Sequence, residues 1–428
     1  MPRPRLIILI PFTAVLAAVA AMLFLWPRRG ARASGPLSQD AYVWQRAWTG
    51  PVRRSMLEHA DQFGRLVVLS AEVSFPQGEP RITRVAMDRS TVCAIGRPVG
   101  LALRVGPYPG PFKQDDAVAR VLSELAAGLV AEARTNGVSV AELQMDFDCA
   151  ERKLDGYRVW VEALRERVAP VPLVITALPA WLDQAAFGQL AMAADGFVLQ
   201  VHSLARPRTP NDPFRLCDPA AARRAVERAA KLRRSFRVAL PTYGYLAAFD
   251  RADRFIGLSA EGPVASWPAG VKLREIKADP GVLARLVSGW MADRPQELAG
   301  VVWFRLPMES DQRNWRWPTL AKVMAGEIPR ADVRAEARRT EDRLVEIELV
   351  NRGTAEHRGP GRVTVSWPRG RLIASDGLLA YETAGGAMDS IQFRGKADRP
   401  GLPPGERRTI GWLRFESEAE VKVETEAE

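Results

Sequence analysis

The sequence predicts an α/β protein in which a (β/α)₈ barrel is followed by a small antiparallel β-sandwich domain, with an N-terminal transmembrane or signal segment. Three observations support this prediction. An apolar stretch flanked by arginines opens the chain, eight short apolar runs alternate with helical patterns, and strict two-residue alternation begins near residue 330. We therefore expect a signal or anchor over residues 1–33, a linker over 34–40, the barrel over 41–328 and the β-sandwich over 329–428.

The N-terminal segment Leu6–Trp26 is almost wholly apolar, and arginines lie on both sides of it. About 20 apolar residues are enough to span a bilayer as a helix, whereas the apolar core of a signal peptide is usually shorter. The length therefore favours an uncleaved membrane anchor. The small residues of Ala31-Arg32-Ala33 leave cleavage as the alternative.

Eight apolar runs predict the barrel strands: Tyr42–Trp48, Leu66–Ser74, Gly100–Tyr108, Ala141–Asp148, Leu173–Trp181, Phe197–Leu204, Phe236–Tyr245 and Gly300–Met308. Helical patterns lie between most of these runs. One of them has apolar residues at helical spacing from Val118 to Leu129, with Asp115 or Asp116 as its N-cap and Gly137 after its end. A small hairpin is expected between the second and third strands.

The residues after Ile328-Pro329 alternate as strands with one buried face. Val345, Ile347 and Leu349 are expected to point inward, and Glu346 and Glu348 outward. Further alternating runs separated by turn residues follow, which predicts a small antiparallel sandwich.

Composition excludes several classes of function. The net charge is +10, yet the basic residues are dispersed and form no stripe with aromatic residues, so we expect no nucleic-acid partner. Only three histidines and three cysteines are present, in no ligand spacing, and no Gly-rich phosphate loop follows a strand. We therefore expect neither a metal nor a cofactor.

The candidate catalytic residues lie at the C-terminal ends of the predicted strands, where barrel enzymes build their sites. Gln144, Asp146 and Asp148 share one face of the fourth strand. Glu72 ends the second strand, and His202 ends the sixth. Carboxyl groups this close raise the pKa of one of them, as a general acid requires. The alternative is a structural ion-pair network, in which Arg104 or Arg305 holds Asp146.

Aromatic residues also cluster near the predicted strand ends: Tyr42, Trp44, Trp48, Tyr108, Trp181, Tyr243, Tyr245 and Trp303. Flat rings suit stacking on the apolar faces of sugars, although packing within the barrel explains such residues equally well.

The motifs Gln144-Met145-Asp146-Phe147-Asp148-Cys149 and Gln200-Val201-His202 resemble an uncharacterised bacterial family, a domain of unknown function, over Ala41 to Met308. That family is in turn similar to the chitinase-like family 18 glycoside hydrolases. Those enzymes carry Asp-x-Asp-x-Glu on strand four, Pro-x-Tyr-Gly on strand seven and a Trp on strand eight. Here Pro241-Thr242-Tyr243-Gly244 and Trp303 match, but Ala150 stands where the catalytic Glu would be.

The resemblance implies a glycoside hydrolase-like enzyme that acts on an envelope or extracellular polysaccharide. Asp148 would be the general acid, Asp146 would raise its pKa, and Glu72 or the substrate would supply the base or nucleophile. The remaining polar and aromatic residues would hold the sugar: Arg104, Gln144, Gln200, His202, Tyr243, Trp303 and Arg305. The rival interpretation is a non-catalytic carbohydrate-binding or scaffolding protein, which the missing Glu favours.

Two further expectations concern location and cysteine chemistry. We expect the barrel to lie outside the bacterial cytoplasm, either anchored to the inner membrane or secreted to the periplasm. In such an oxidising compartment, Cys149 and Cys217 are expected to come close enough for a disulfide, because both follow even-numbered strands.

Overall fold

The computed structural model describes residues 31–113, 116–259 and 267–426. The predicted membrane segment Leu6–Trp26 lies outside these residues. Within them, no helix combines the length and the apolar character needed to cross a bilayer.

Eight parallel strands form a closed barrel: β1 (Ser38–Val43), β2 (Arg65–Ser74), β3 (Val99–Val105), β4 (Val140–Phe147), β5 (Leu173–Ala177), β6 (Gly196–Gln200), β7 (Phe236–Pro241) and β8 (Leu298–Phe304). Each strand pairs with the next one along the chain, and β1 pairs with both β2 and β8, which closes the sheet. The predicted barrel is confirmed.

The helices of the barrel domain are α1 (Gly50–His59), α2 (Arg89–Ala94), α3 (Ala117–Thr135), α4 (Leu154–Val168), α5 (Ala185–Ala193), α6 (Pro219–Ala230), α7 (Pro280–Ala292) and α8 (Trp317–Met324). The carboxyl group of Asp116 accepts a hydrogen bond from the N–H of Ala119 at 2.7 Å, which caps α3 as predicted. Gly137 follows the end of α3 with φ +74°, a left-handed conformation that suits glycine.

The first strand lies earlier in the chain than the sequence predicts. Its observed range is Ser38–Val43 rather than Tyr42–Trp48. This strand begins with polar residues, so a hydrophobicity pattern does not detect its start. One of them, Asp40, is nevertheless fully buried, where it forms an ion pair with Arg237. Several other predicted strands extend too far at their C-terminal ends, since apolar loop residues such as Trp181 continue the apolar run.

Two insertions interrupt the barrel. Arg81–Arg84 pairs antiparallel with the end of β2, as the predicted hairpin requires. After β7, a three-stranded antiparallel sheet forms from Gly244–Phe249, Phe255–Ser259 and Lys272–Lys277, and the sequence did not indicate it. A short antiparallel pair also joins Arg32–Ala33 to Arg294–Pro295.

The C-terminal residues form two four-stranded antiparallel sheets: β9 (Val333–Glu341), β10 (Leu344–Asn351), β11 (Arg362–Ser366), β12 (Leu372–Gly377), β13 (Tyr381–Ala384), β14 (Ser390–Gly395), β15 (Arg407–Phe415) and β16 (Lys422–Glu426). The sheet orders are β9-β10-β15-β12 and β13-β14-β11-β16. Both sheets contribute to one apolar core, and Val345, Ile347 and Leu349 point into it as predicted.

Glu348 was expected to face water on the outer side of this sandwich, but it is buried. Two guanidinium groups cover it, those of Arg338 at 2.7 Å and Arg407 at 3.2 Å. The sandwich contacts α8 of the barrel through a hydrogen bond from the hydroxyl of Thr319 to the carbonyl of Thr354 at 2.6 Å.

Candidate functional site

Three polar side chains lie side by side at the C-terminal end of the barrel lumen. The strand register pairs Glu72 of β2 with Arg104 of β3, and Arg104 with Asp146 of β4. Gln144, two residues before Asp146, accepts a hydrogen bond from the hydroxyl of Tyr42 on β1 at 2.7 Å. This contact across the barrel places the alternate residues of β4 in the lumen.

A β-bulge at Ser70 directs Glu72 into the lumen. Leu69 pairs with Ala102 and Ala71 pairs with Leu103, so Ser70 has no partner in this register. Without the extra residue, strict alternation from Leu69 would turn Glu72 outward. Alternation alone would place Ser70 and Glu72 on the same face, whereas only Glu72 belongs to this row.

Glu72 is held by an arginine that the sequence analysis did not single out. The guanidinium of Arg46, in the loop after β1, donates to both carboxylate oxygens of Glu72, at 2.6 and 2.8 Å. Arg104 approaches the same carboxylate at 3.8 Å. Arg46 was overlooked because it fell inside the predicted first strand, which in fact ends at Val43.

The two aspartates of β4 have different surroundings. Burial raises the pKa of Asp146 to about 6, the nearby charge of Asp148 adds to this, and a hydrogen bond from the hydroxyl of Thr176 at 2.7 Å opposes it. Asp148 is exposed and makes no hydrogen bond or ion pair with any residue that the structure describes. From the sequence, the raised pKa was expected at Asp148, but in the structure it is the pKa of Asp146 that is raised, because Asp146 is the more buried of the two.

Below the candidate site, a buried ion cluster fills the N-terminal end of the lumen. Arg237 donates to Asp40 at 2.5 Å and to Glu142 at 2.7 Å, and Arg65 also binds Glu142. The amide of Gln144 donates to Glu142 at 2.5 Å. Gln144 is therefore an internal link between this cluster and Tyr42, and its side chain is buried.

An aromatic wall lines the lumen opposite the carboxyl groups, and Phe304 of β8 is at its centre. The ring centroid of Phe304 lies 5.8 Å from that of Tyr42, 5.4 Å from Trp44 and 5.5 Å from Tyr243. From the sequence, Trp303 was expected in this position instead. Trp303 is fully buried on the outer face, where its indole N–H donates to Gln39 at 2.7 Å.

His202 completes the aromatic wall. Its ring centroid lies 5.8 Å from that of Phe304 and 6.0 Å from that of Tyr243. Burial lowers the pKa of His202 to about 3, so the imidazole is neutral at physiological pH. Its Nδ1 atom has no hydrogen-bond partner among the described residues, while Gln200 donates to its backbone carbonyl at 3.3 Å.

Arg305 is buried and bound to Asp311 in the loop after β8. Asp311 was not identified from the sequence, because a single acidic loop residue carries no signal of its own. Among the described residues, no group of three or more His, Cys, Asp or Glu side chains is arranged to hold a metal ion.

Cys149 and Cys217 are both buried free thiols, so the expected disulfide does not form in this structure. Burial raises the pKa of each thiol to about 12. Cys93 is exposed and free.

Comparisons with solved structures show the fold. The spore cortex-lytic enzyme SleL of Bacillus cereus superposes with a TM-score of 0.50 at 10% identity, over 69% of this chain and 75% of that chain. SleL of Bacillus megaterium superposes with a TM-score of 0.49 at 12% identity, again over 69% of this chain and 75% of that chain. A chitinase from Chromobacterium violaceum superposes with a TM-score of 0.45 at 17% identity, and the match covers 68% of this chain and 99% of the chitinase. The likeness to the Bacillus cereus enzyme shows the barrel fold.

No curated protein matches the sequence. One family model does match, over residues 96–309, which is half of the chain. This range runs from just before β3 to just after β8 and includes the Asp146–Asp148 pair. The chain belongs to the family described as a domain of unknown function, DUF3142.

Proposed function

We propose that this protein is a glycoside hydrolase that acts on an envelope or extracellular polysaccharide. The observation that carries the proposal is the pair of carboxyl groups at the end of β4. Asp146 is partly buried with its pKa raised to about 6, and exposed Asp148 follows two residues later. Glycosidases commonly use carboxyl groups whose surroundings separate their proton affinities.

In this proposal, Asp148 is the general acid that delivers a proton to the leaving oxygen. Asp146 is the inner partner that holds a proton at mildly acidic pH and passes it outward. Glu72 is a weak nucleophile, because both of its oxygens accept hydrogen bonds from Arg46. Water or the substrate itself therefore acts as the base or nucleophile. The Glu72–Arg46 pair positions the substrate.

The aromatic wall supports a sugar ligand. Phe304 is partly exposed opposite the carboxyl groups, and its ring packs against those of Tyr42 and Trp44, which are themselves buried. Rings of this kind pack against the apolar faces of pyranoses. Arg104 is half exposed and has donors for sugar hydroxyls or acidic groups.

The direct test is hydrolysis of a panel of purified envelope and extracellular glycans, measured as new reducing ends. We expect Asp148→Asn to lower the rate about 10²–10⁴-fold and to leave glycan binding intact. The wild-type rate should fall as the pH rises above about 6, because Asp146 then loses its proton.

Glu151→Gln is the matched control, since Glu151 lies on the same loop and its carboxylate accepts a hydrogen bond from Gln184 at 3.1 Å. This variant should retain the wild-type rate. If Glu151→Gln abolished hydrolysis and Asp148→Asn did not, the assignment of the acid would be wrong.

A second candidate function is non-catalytic carbohydrate binding. Ala150 occupies the position of the catalytic Glu in the enzymes that the motif resembles, and Arg46 neutralises Glu72. A wild-type protein that binds a glycan and releases no reducing ends would establish this function instead.

We also propose that the protein is held at the inner membrane with the barrel outside the cytoplasm. The apolar length of Leu6–Trp26 and its flanking arginines motivate this proposal. The protein should remain in the membrane pellet after carbonate extraction. A wholly soluble mature form that begins near Ser34 would contradict the anchor.

A further inference from the structure

Arg104 is a charged side chain near the end of a strand that is otherwise buried. Every other residue of β3 is buried, and the strand register places Arg104 between Glu72 and Asp146 in the lumen. The side chain of Arg104 is 44% exposed, so more than half of its surface is covered while the rest remains open to a ligand. A guanidinium group is always charged in proteins and carries five N–H donors. Such a group needs acceptors.

The two carboxyl groups beside Arg104 both have other hydrogen-bond partners. Glu72 is bound through both oxygens by Arg46, and its closest approach to Arg104 is 3.8 Å. The carboxyl group of Asp146 accepts a hydrogen bond from the hydroxyl of Thr176 at 2.7 Å. Within residues 31–113, 116–259 and 267–426, the guanidinium of Arg104 donates no hydrogen bond. The structural alternative in which Arg104 holds Asp146 is therefore wrong, and the donors of Arg104 remain available to a ligand.

The charge of Arg104 is not balanced by its neighbours in the protonation state that the proposed reaction needs. The charge of Glu72 is balanced by Arg46. Burial raises the pKa of Asp146 to about 6, and the charge of Arg104 opposes this rise only in part, so Asp146 is mostly neutral at pH 5. Asp148, as the proposed acid, carries its proton before it reacts. The positive charge of Arg104 then remains to attract an anion.

We propose that Arg104 is a specificity-determining residue that binds the carboxylate of an acidic sugar, which makes glycans with uronic acid units the substrate class of this site. The planar fork of a guanidinium matches the two oxygens of a carboxylate, and such bidentate pairs are strong and geometrically specific. Phe304, partly exposed across the lumen, offers a ring for the apolar face of the same sugar. This inference rests on the proposed function and deepens it, because it names the substrate of the same site.

The experiment compares two probes that differ in charge, tetragalacturonate and its full methyl ester, by isothermal titration calorimetry of the full chain at pH 5. Tetramannuronate is a second acidic probe with a different sugar and linkage. We expect the wild type to bind an acidic probe roughly 10- to 100-fold more tightly than the ester, the usual effect of hydrogen bonds between charged groups. Arg104→Gln should lose this preference and bind the acid only as tightly as the wild type binds the ester.

Two further variants separate recognition of the carboxylate from a structural role. Arg104→Lys keeps the charge but lacks the fork, so it should retain a preference for the acid that is smaller than that of the wild type. Arg134→Gln is the matched control, because Arg134 is exposed in the last turn of α3, at the opposite end of the barrel, and should leave both affinities unchanged. A merely structural Arg104 would weaken both probes equally and leave the ratio of their affinities as it is in the wild type.

Three results would overturn the inference: equal affinity of the wild type for the acid and the ester, an unchanged preference in Arg104→Gln, or no binding of either acidic probe. The proposed hydrolysis fails separately. A wild type that prefers the acid through Arg104 and releases no reducing ends from it supports the recognition and contradicts catalysis. A neutral glycan that the wild type and Arg104→Gln hydrolyse at the same rate, and Asp148→Asn does not, supports the hydrolase and overturns the inference.

Discussion

Replacing Asp146 by Asn should stabilise the protein at neutral pH and leave its stability unchanged in acid. The folded structure raises the pKa of this carboxyl group from 3.8 to about 6. Two pKa units correspond to about 3 kcal/mol, and partial exposure to solvent reduces the expected effect to about 2 kcal/mol. Asn retains the oxygen that accepts the hydrogen bond from Thr176, so little is lost on substitution.

The sign follows from proton linkage. Below pH 3.8 the carboxyl group is protonated in both the folded and the unfolded chain, so it has no differential effect. Between pH 3.8 and 6 the folded chain holds the proton more tightly, and the free energy of unfolding of the wild type falls as the pH rises. Above pH 6 the full cost of the buried charge is present, and Asp146→Asn removes it.

The assay is urea denaturation of the wild type and the variant at pH 8 and pH 3.5, followed by tryptophan fluorescence. Glu166→Gln is the control, since Glu166 is exposed on α4 and should change stability by less than about 0.5 kcal/mol at either pH. If Asp146→Asn were destabilising at pH 8, or had the same effect at both values, the carboxyl group would not carry the raised pKa, and the acid–base proposal would lose its support.

Two further predictions test the barrel interior. Arg237→Ala leaves two buried carboxylates without their main partner and should lower the free energy of unfolding by about 3 kcal/mol, whereas Arg54→Ala, at an exposed arginine, should cost less than about 0.5 kcal/mol in the same urea titration. Equal losses would refute the buried cluster. Ellman's reagent should react quickly with one thiol in the native chain, Cys93, and with all three thiols after denaturation, because Cys149 and Cys217 are buried and free. A single reactive thiol after denaturation would mean that Cys149 and Cys217 form a disulfide.

The barrel could be predicted from the sequence because its strands are short, apolar and regularly spaced between helical patterns. These features depend on local periodicity, which is a property of each segment and does not depend on the strands and helices that it packs against. The candidate carboxyl groups were found for the same reason, since Asp146 and Asp148 are polar residues at the end of an apolar strand.

Side-chain direction could not be predicted in the same way. Both faces of β8 are apolar, so alternation alone does not say whether Trp303 or Phe304 faces the lumen. The bulge at Ser70 adds one residue to β2, so Glu72 faces the lumen and Ser70 does not, although alternation alone places both on the same face. In both places the answer depends on pairing with neighbouring strands.

The sequence by itself determined that this chain forms a barrel with acidic residues at the C-terminal ends of its strands, because hydrophobic period and strand order are properties of the chain. Only the tertiary structure decided which groups interact there. It gave the raised pKa to Asp146, paired Glu72 with Arg46, and bound Arg305 to Asp311. The physical reason is that burial, charge proximity and hydrogen-bond geometry arise between strands distant in sequence, and no local pattern encodes them.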